Sequence, residues 1–496
     1  MRGIEKQSNI NRSAWTTLVI LSCLGLITMY GETMVLPAIP DFIRDFNILY
    51  STSSWILSSY LIAGAVMTPI AGRLSDIYGK KKILLIVMAA YSTGILAGGF
   101  ANSIGFMLAA RAAQGVGMSM FPIAFGIIRE ILPEKKLAIG QTIFSSTFSG
   151  GAVVGLMVGA TIIQNFGWQA TFFSIFPIAV ILGLIIRKVV QVRESLSWKV
   201  KVREENERKD PVKAVKAQTV DLRGTLALAV TIISFLAGIS FLESNSANAG
   251  FQVAGLFSIA AVSLGVFIAI EKKVSSPLLD LKLMTHKMIL PATIILMMVF
   301  LCMFMVYQTI PIMVRSPQPL GFGGDAVVTA SVQLPFMIVL LIGTVMSGFI
   351  LNRVGNTRLI VLGTIISAIG FFSLLLFHSS EYMVSVALTI ISAGLSLSIT
   401  GGFNVVLLSA PIQATGIALG MTLLLNLVGM SIGPSIAAMF QQMHQGTVQG
   451  IAGQFPSQDA YNLIFLVAAL ISLASIALSL ALARRKIMPG QAITHH

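Results

Sequence analysis

Runs of about 20 apolar residues, the length one helix needs to cross a bilayer, recur along the whole chain. They begin near Trp15, Tyr50, Ile83, Ser103, Gly140, Trp168, Gly224, Gly250, Met288, Ala326, Leu359, Tyr382, Ile412 and Tyr461. Their length selects helices, because barrel strands cross with about 9–11 alternating residues. Only 10% of the residues are charged, against about 25% in soluble domains. A water-facing surface cannot be made from so few charges. The 44 glycines show no three-residue period and there are 2 cysteines, so collagen and disulfide scaffolds are excluded too. Cys23 and Cys302 both fall within apolar runs, where no structural disulfide is expected.

The charges test the count of fourteen. The net charge of +14 would suggest nucleic acid in a soluble protein. In a membrane chain it predicts loops that are basic on one side of the bilayer. With the N-terminus cytoplasmic, all of the 33 Lys and Arg except Arg44, Arg111 and Arg315 fall on that side. An even number of spans follows, with both termini cytoplasmic in a multi-pass protein of the cell membrane. The weakest pair is the runs from Gly224 and Gly250; losing both would leave twelve. Arg2, Lys6 and Arg12 before the first run imitate a secretory signal, but no small-residue cleavage site follows, and the span is read as retained.

Two elements repeat at nearly one offset. Gly72-Arg-Leu-Ser-Asp76-Ile-Tyr-Gly79-Lys80 follows the second span, and Gly348-Phe-Ile-Leu-Asn352-Arg-Val-Gly355 follows the tenth. Gly151 and Gly155 recur as Gly429 and Gly433. This spacing predicts an N-terminal six-helix bundle over 1–190 and a C-terminal one over 288–496, joined by 191–287 with two extra spans. The charged stretch from Arg187 to Arg223 reads as a solvated linker, or, through Trp198, Lys199 and Lys201, as a lipid-headgroup contact.

The Gly72–Lys82 loop is similar to the loop signature of the major facilitator superfamily. Arg111-Ala-Ala-Gln-Gly115-Val-Gly117 resembles that superfamily's fourth-span pattern. Fourteen spans with an inserted pair resemble its drug:proton antiporter branch. The branch's fifth-span signature carries a proline and a terminal Gly-Gly. Here the stretch reads Gly151-Ala-Val-Val-Gly155-Leu156-Met-Val-Gly159-Ala160. The branch's first-span acid is an aspartate, whereas Glu32 stands one place later, about 100° around a helix. The resemblance implies an all-α transporter, with two inverted-repeat bundles around a midplane cavity plus two linker spans. It also implies proton-coupled efflux of lipophilic or cationic drugs by alternating access.

An ionisable residue inside a span is a functional candidate by default. Glu32 and Arg111 are the clear cases. Taking a carboxylate out of water penalises its charged form, which suits a group that loads and releases a proton; the alternative is an acid solvated near the headgroups. Arg111 stays charged, so it either competes with substrate and Glu32 or ties its span to a neighbour. Gly72, Asp76, Gly79 and Lys80 form the gating loop, with Asp76 placed to cap the thirteenth span near Pro411–Ala414; solvated charge is the alternative. Gly151, Gly155, Gly159, Gly429 and Gly433 permit close helix packing. Tyr30, Tyr60, Gln114, Met118, Tyr307, Gln308, Gln333, Asn404 and Asn426 are the candidates for the substrate cavity, fewer than half of them expected to touch cargo.

No P-loop, complete Gly-x-Gly-x-x-Gly or His-Glu-x-x-His pattern is present. No nucleophile–base constellation can be assembled, so an enzyme is not expected, nor is a cofactor, metal or nucleic-acid partner. The expected partners are a small-molecule substrate, protons and membrane lipid, with the protein a monomer. Two rival functions remain: a carrier of a polar or anionic metabolite bound by Arg111, and a membrane receptor or scaffold with a transporter's fold.

Overall fold

The computed structural model describes residues 12–190, 222–242, 249–274, 283, 285–410 and 415–485. The segment containing Trp198, Lys199 and Lys201 lies outside them. Helices dominate because a spanning backbone must satisfy its own polar groups. The first region holds α1 (Arg12–Thr33), a 3-10 turn at Leu36–Ala38, α2 (Ile39–Asp45), α3 (Tyr50–Tyr78) and α4 (Lys80–Gly99). It continues with α5 (Ile104–Gly115), a 3-10 turn at Val116–Ser119, α6 (Met120–Ile131), α7 (Glu134–Phe166) and α8 (Trp168–Val189). Next come α9 (Leu222–Phe241) and α10 (Ala249–Glu271). The last region holds α11 (Ile289–Arg315), α12 (Ala326–Val354), α13 (Asn356–Leu376), α14 (Glu381–Ser409), α15 (Thr415–Met443) and α16 (Gln458–Ala483).

Among the described residues twelve helices are long and apolar enough to cross a membrane, two fewer than the fourteen expected. Both shortfalls have a physical cause. The run from Ser103 is interrupted where Gly115-Val-Gly117 enters the 3-10 turn, dividing it into α5 and α6. In α9 the apolar stretch Arg223–Ile239 is shorter than a full span. A second departure from an all-helical chain is a hairpin between α15 and α16. Its strands β1 (Gln445–Val448) and β2 (Ile451–Pro456) pair antiparallel, turning through Gly450 at φ +83°.

The paired glycines adopt matching backbone conformations. Gly79 turns α3 into α4 at φ +98°, and Gly355 turns α12 into α13 at φ +88°; both need the left-handed freedom of glycine. A Cβ on Gly159 would stand 2.9 Å from Met34 Cα, and one on Gly155 would strike Thr33 Oγ1 and stand 2.8 Å from Tyr30 Cα. Gly151, Gly155 and Gly159 thus bring α7 against the backbone of α1. Gly429 and Gly433 do the same for α15 on α11, facing the carbonyls of Met297 and Leu301.

Helix α3 packs along α15, and α7 along α12. The repeat expected from the sequence pairs α3 with α12 and α7 with α15, so under it these two contacts would exchange partners. Helix α10 packs on α9, which lies against both α3 and α15. Large apolar side chains such as Phe251 and Phe349 are exposed. Such a surface calls for lipid.

Candidate functional site

The site is built where α1, α3, α4 and α5 meet. Arg111, on α5, is fully buried. Its Nη1 donates to the Gly31 carbonyl at 3.0 Å and to Gln114 Oε1 at 2.8 Å, and its Nε donates to the Ile56 carbonyl at 3.2 Å. The guanidinium also stands over the Tyr60 ring, 4.5 Å from its centroid. Cation–π attraction and these acceptors offset much of the cost of a charge removed from water, while Nη2 has no partner among the described residues. Gln114 passes the network to α4 by donating to the Gly94 carbonyl at 2.9 Å. Tyr60 and Tyr91 close it, their hydroxyls donating to the carbonyls of Thr28 and Ile27 at 3.3 and 2.9 Å.

Glu32 is 4% exposed at the end of α1. Its Oε2 has no hydrogen-bond partner among the described residues. It lies within electrostatic reach of Arg111, Tyr60 and Tyr91, and of Tyr307 on α11. The described residues include no ion pair between Glu32 and Arg111. The acid is therefore next to a fixed cation without being locked to it.

Tyr307 donates to Met337 Sδ at 3.4 Å and meets the rings of Phe304 and Phe336 at 5.1 and 5.5 Å. Gln333 shares the Phe336–Met337 face of α12 by helical spacing; it is buried, and neither of its amide atoms has a partner. Asn426 on α15 is in the same condition. Gln308 donates to Ser53 Oγ of α3 at 2.9 Å and keeps a free Oε1.

Other expected positions fall elsewhere. Tyr30 is turned toward Ser174 of α8. Met118 sits on the 3-10 turn against Gly64, where a Cβ would come within 2.9 Å of its own. Asn404 donates to the Thr400 carbonyl of its own helix at 2.9 Å. Lys80 pairs with Glu130 at the end of α6, a cross-helix tie rather than free loop charge. A Cβ at Gly72 would meet open space. The latch of Asp76 onto the helix start near Pro411 falls outside the description: neither the Asp76 side chain nor residues 411–414 are included. Outside the spans, burial pushes the His286 imidazole down from its ordinary pKa, and its Nδ1 accepts from Met288 N at 3.3 Å. Among the described residues no three His, Cys, Asp or Glu side chains are grouped to hold a metal ion.

Reading the sequence passed over Tyr91, Ser53 and Asp41. Gly31 was a usable signal for Tyr91, because a Cβ there would strike the Tyr91 hydroxyl.

The profile of the Major Facilitator Superfamily matches residues 21–434. The chain is similar to the multidrug transporter protein MdtP of Bacillus subtilis (strain 168), 24% identical over 399 residues, covering 79% of this chain and 69% of that one. It is 26% identical over 470 residues to multidrug resistance protein 3 of the same organism, covering 91% and 86%. Among solved structures it resembles the inward open xylose transporter XylE from E. coli. The TM-score is 0.61 at 12% identity, covering 97% of this chain and 98% of that one.

Proposed function

The chain belongs to the Major Facilitator Superfamily, and we propose that within it this protein exports lipophilic, often cationic compounds by proton-driven alternating access. Membership makes it a multi-pass membrane transporter of a small molecule and not an enzyme. Relatives named as multidrug transporters support the substrate class. In this reading the chain crosses fourteen times, the α5–α6 pair and α9 joining the twelve full-length spans. Residues 1–190 and 288–496 form the two six-helix bundles, 191–287 join them, and both termini are cytoplasmic. A single copy is the working unit.

The observation that carries the reading is Glu32: a buried acid with an orphaned oxygen, within electrostatic reach of Arg111 and of Tyr307 on α11. A proton-driven carrier needs a group that changes charge as its access to water changes sides. Arg111 commits its Nε and Nη1 to three acceptors and its plane to a ring, and leaves Nη2 without a partner among the described residues. That supports a strut holding α1, α3 and α5 over a receptor for an anionic metabolite.

Flux into inverted vesicles under an imposed pH gradient tests it. Glu32→Gln should abolish uphill transport and keep downhill exchange, and Glu32→Asp should retain part of the uphill activity. Full gradient-driven uptake by the glutamine variant would remove Glu32 from coupling. The role would then pass to another acid, such as Glu243, which lies outside the described residues, or Asp325, whose Oδ1 accepts from Val328 N at 2.8 Å to cap α12.

A further inference from the structure

Arg44 and Arg315 are the two basic residues that the charge pattern leaves on the sparse side of the membrane. The structure brings both to Asp41, Arg44 also pairing with Asp45 at 3.0 Å. Asp41 has a nearly buried side chain, 8% exposed. Its Oδ1 accepts from Arg315 Nη2 at 2.8 Å and its Oδ2 from Nη1 at 2.5 Å. Arg44 Nη2 is 3.2 Å from the same Oδ1. Arg315 Nη1 also donates to the Pro37 carbonyl at 3.0 Å. A two-pronged guanidinium–carboxylate pair fixes geometry as well as charge.

The partners are anchored to different bodies. Asp41 lies on α2, which is fastened to α8: Trp168 Nε1 donates to Asp45 Oδ2 at 2.9 Å. The Trp168 ring also meets Phe42 and Phe46 at 4.9 and 5.6 Å. Arg315 ends α11, which the Gly429 and Gly433 contacts hold to α15. If the bodies part at this end, the pair must break. Other hydrogen bonds between the two regions lie toward the same end. Tyr50 N donates to Gln442 Oε1 at 3.0 Å, the Tyr50 hydroxyl to the Gln454 carbonyl at 3.2 Å, and Ala326 N to Gln164 Oε1 at 3.3 Å.

We infer that Asp41 and Arg315 form the latch that holds this end of the transporter shut and sets how often it opens. The inference rests on the alternating-access reading. Closing the end takes both charges out of water, which is favourable only while they pair. Removing Arg315 leaves Asp41 only the exposed Arg44, and removing Asp41 leaves Arg315 only the Pro37 carbonyl, so the closed state loses more than the open one and the population moves toward the open state.

Spin labels at Phe166 and Tyr382 report the opening. They are 76% and 79% exposed and lie on the two bodies at the latched end. The full chain carries Phe166→Cys and Tyr382→Cys, with Cys23→Ala to remove the exposed native thiol. Asp41→Asn and Arg315→Gln are each expected to raise the long-distance population about tenfold. The swap Asp41→Arg with Arg315→Asp should restore the short distance. If a single variant does not reach the membrane, Arg315→Lys, which keeps the charge and loses the fork, should give an intermediate distribution. Unchanged distances in the single variants, or a swap as open as either of them, would overturn the latch. The distances need no substrate. A chain that exports nothing yet opens on these substitutions would fail the efflux reading and keep the latch.

Discussion

Residues 12–190 and 288–485 share their scaffold and differ in their chemistry. Each has a helix held by glycine to the backbone of its first long helix, α7 on α1 and α15 on α11. Each turns a long helix into the next through a positive-φ glycine, Gly79 or Gly355. Only the first region buries charge among its described residues, at Glu32, Asp41 and Arg111; the second buries neutral amides, at Gln308, Gln333 and Asn426. Glycine packing fixes how helices approach and cannot be varied without moving backbone. Buried polar groups sit inside that frame and can diverge. A duplicated frame with unequal contents lets one region carry buried charges while the other carries buried neutral amides.

The shared frame is tested by the largest expected effect. Gly155→Leu and Gly433→Leu each push a side chain into backbone, at Tyr30 and at Met305 N, 2.9 Å from an added Cβ. Both should cost about 3 kcal/mol or more, seen as lost folded protein in size-exclusion chromatography of detergent extracts. A harmless Gly433→Leu beside a ruinous Gly155→Leu would break the equivalence of the two regions.

The unequal contents are tested next. Arg111→Leu strands the carbonyls of Gly31 and Ile56 and the Gln114 amide oxygen, and leaves Tyr60 without its cation. The expected loss is about 3 kcal/mol, read as a lower melting temperature of the purified protein. Arg111→Lys keeps the charge and reaches fewer acceptors, so it should recover part of that loss. A lysine variant as stable as the parent with transport abolished would instead assign Arg111 to cargo or coupling.

Much of the frame was legible because its causes are local. Glycine at Gly79 and Gly355, the small-residue spacing at Gly151, Gly155 and Gly159, and the long apolar runs each state their geometry within a few residues. The division of the run from Ser103 was less visible, since hydropathy averages over Gly115 and Gly117 where the helix changes to a 3-10 turn. The hairpin was missed because a search for spans is blind to strands, although Gly446, Gly450 and Gly453 mark the turn-rich stretch. At the site, an isolated Arg111 in an apolar run advertised itself, and its partners Tyr60 and Gln114 stood out as polar residues on spans, but its other two acceptors are main-chain carbonyls, which no sequence pattern names. Arg44 and Arg315 stood out as exceptions to the charge asymmetry. Their shared partner Asp41 did not, because the pairing joins α2 to the distant end of α11.

The smallest effect discriminates most finely between the two regions. Gln114 and Gln333 are both buried amides, one in each region. Gln114 accepts from Arg111 and donates to Gly94, while Gln333 has no partner for either amide atom. Leucine has nearly the shape of glutamine, so Gln114→Leu removes two made bonds and Gln333→Leu removes none. Gln114→Leu should lower the melting temperature. Gln333→Leu should leave it unchanged or raise it by up to about 4 °C, because an unpaired buried amide costs more than an apolar group of the same size. Under the efflux reading proposed above, cargo would be the partner that the Gln333 amide lacks. Export of an amine-bearing dye by Gln333→Leu should therefore fall about fivefold, roughly the 1 kcal/mol of one hydrogen bond. Unchanged export together with a raised melting temperature would make Gln333 a packing residue and confine cargo recognition to the charged region.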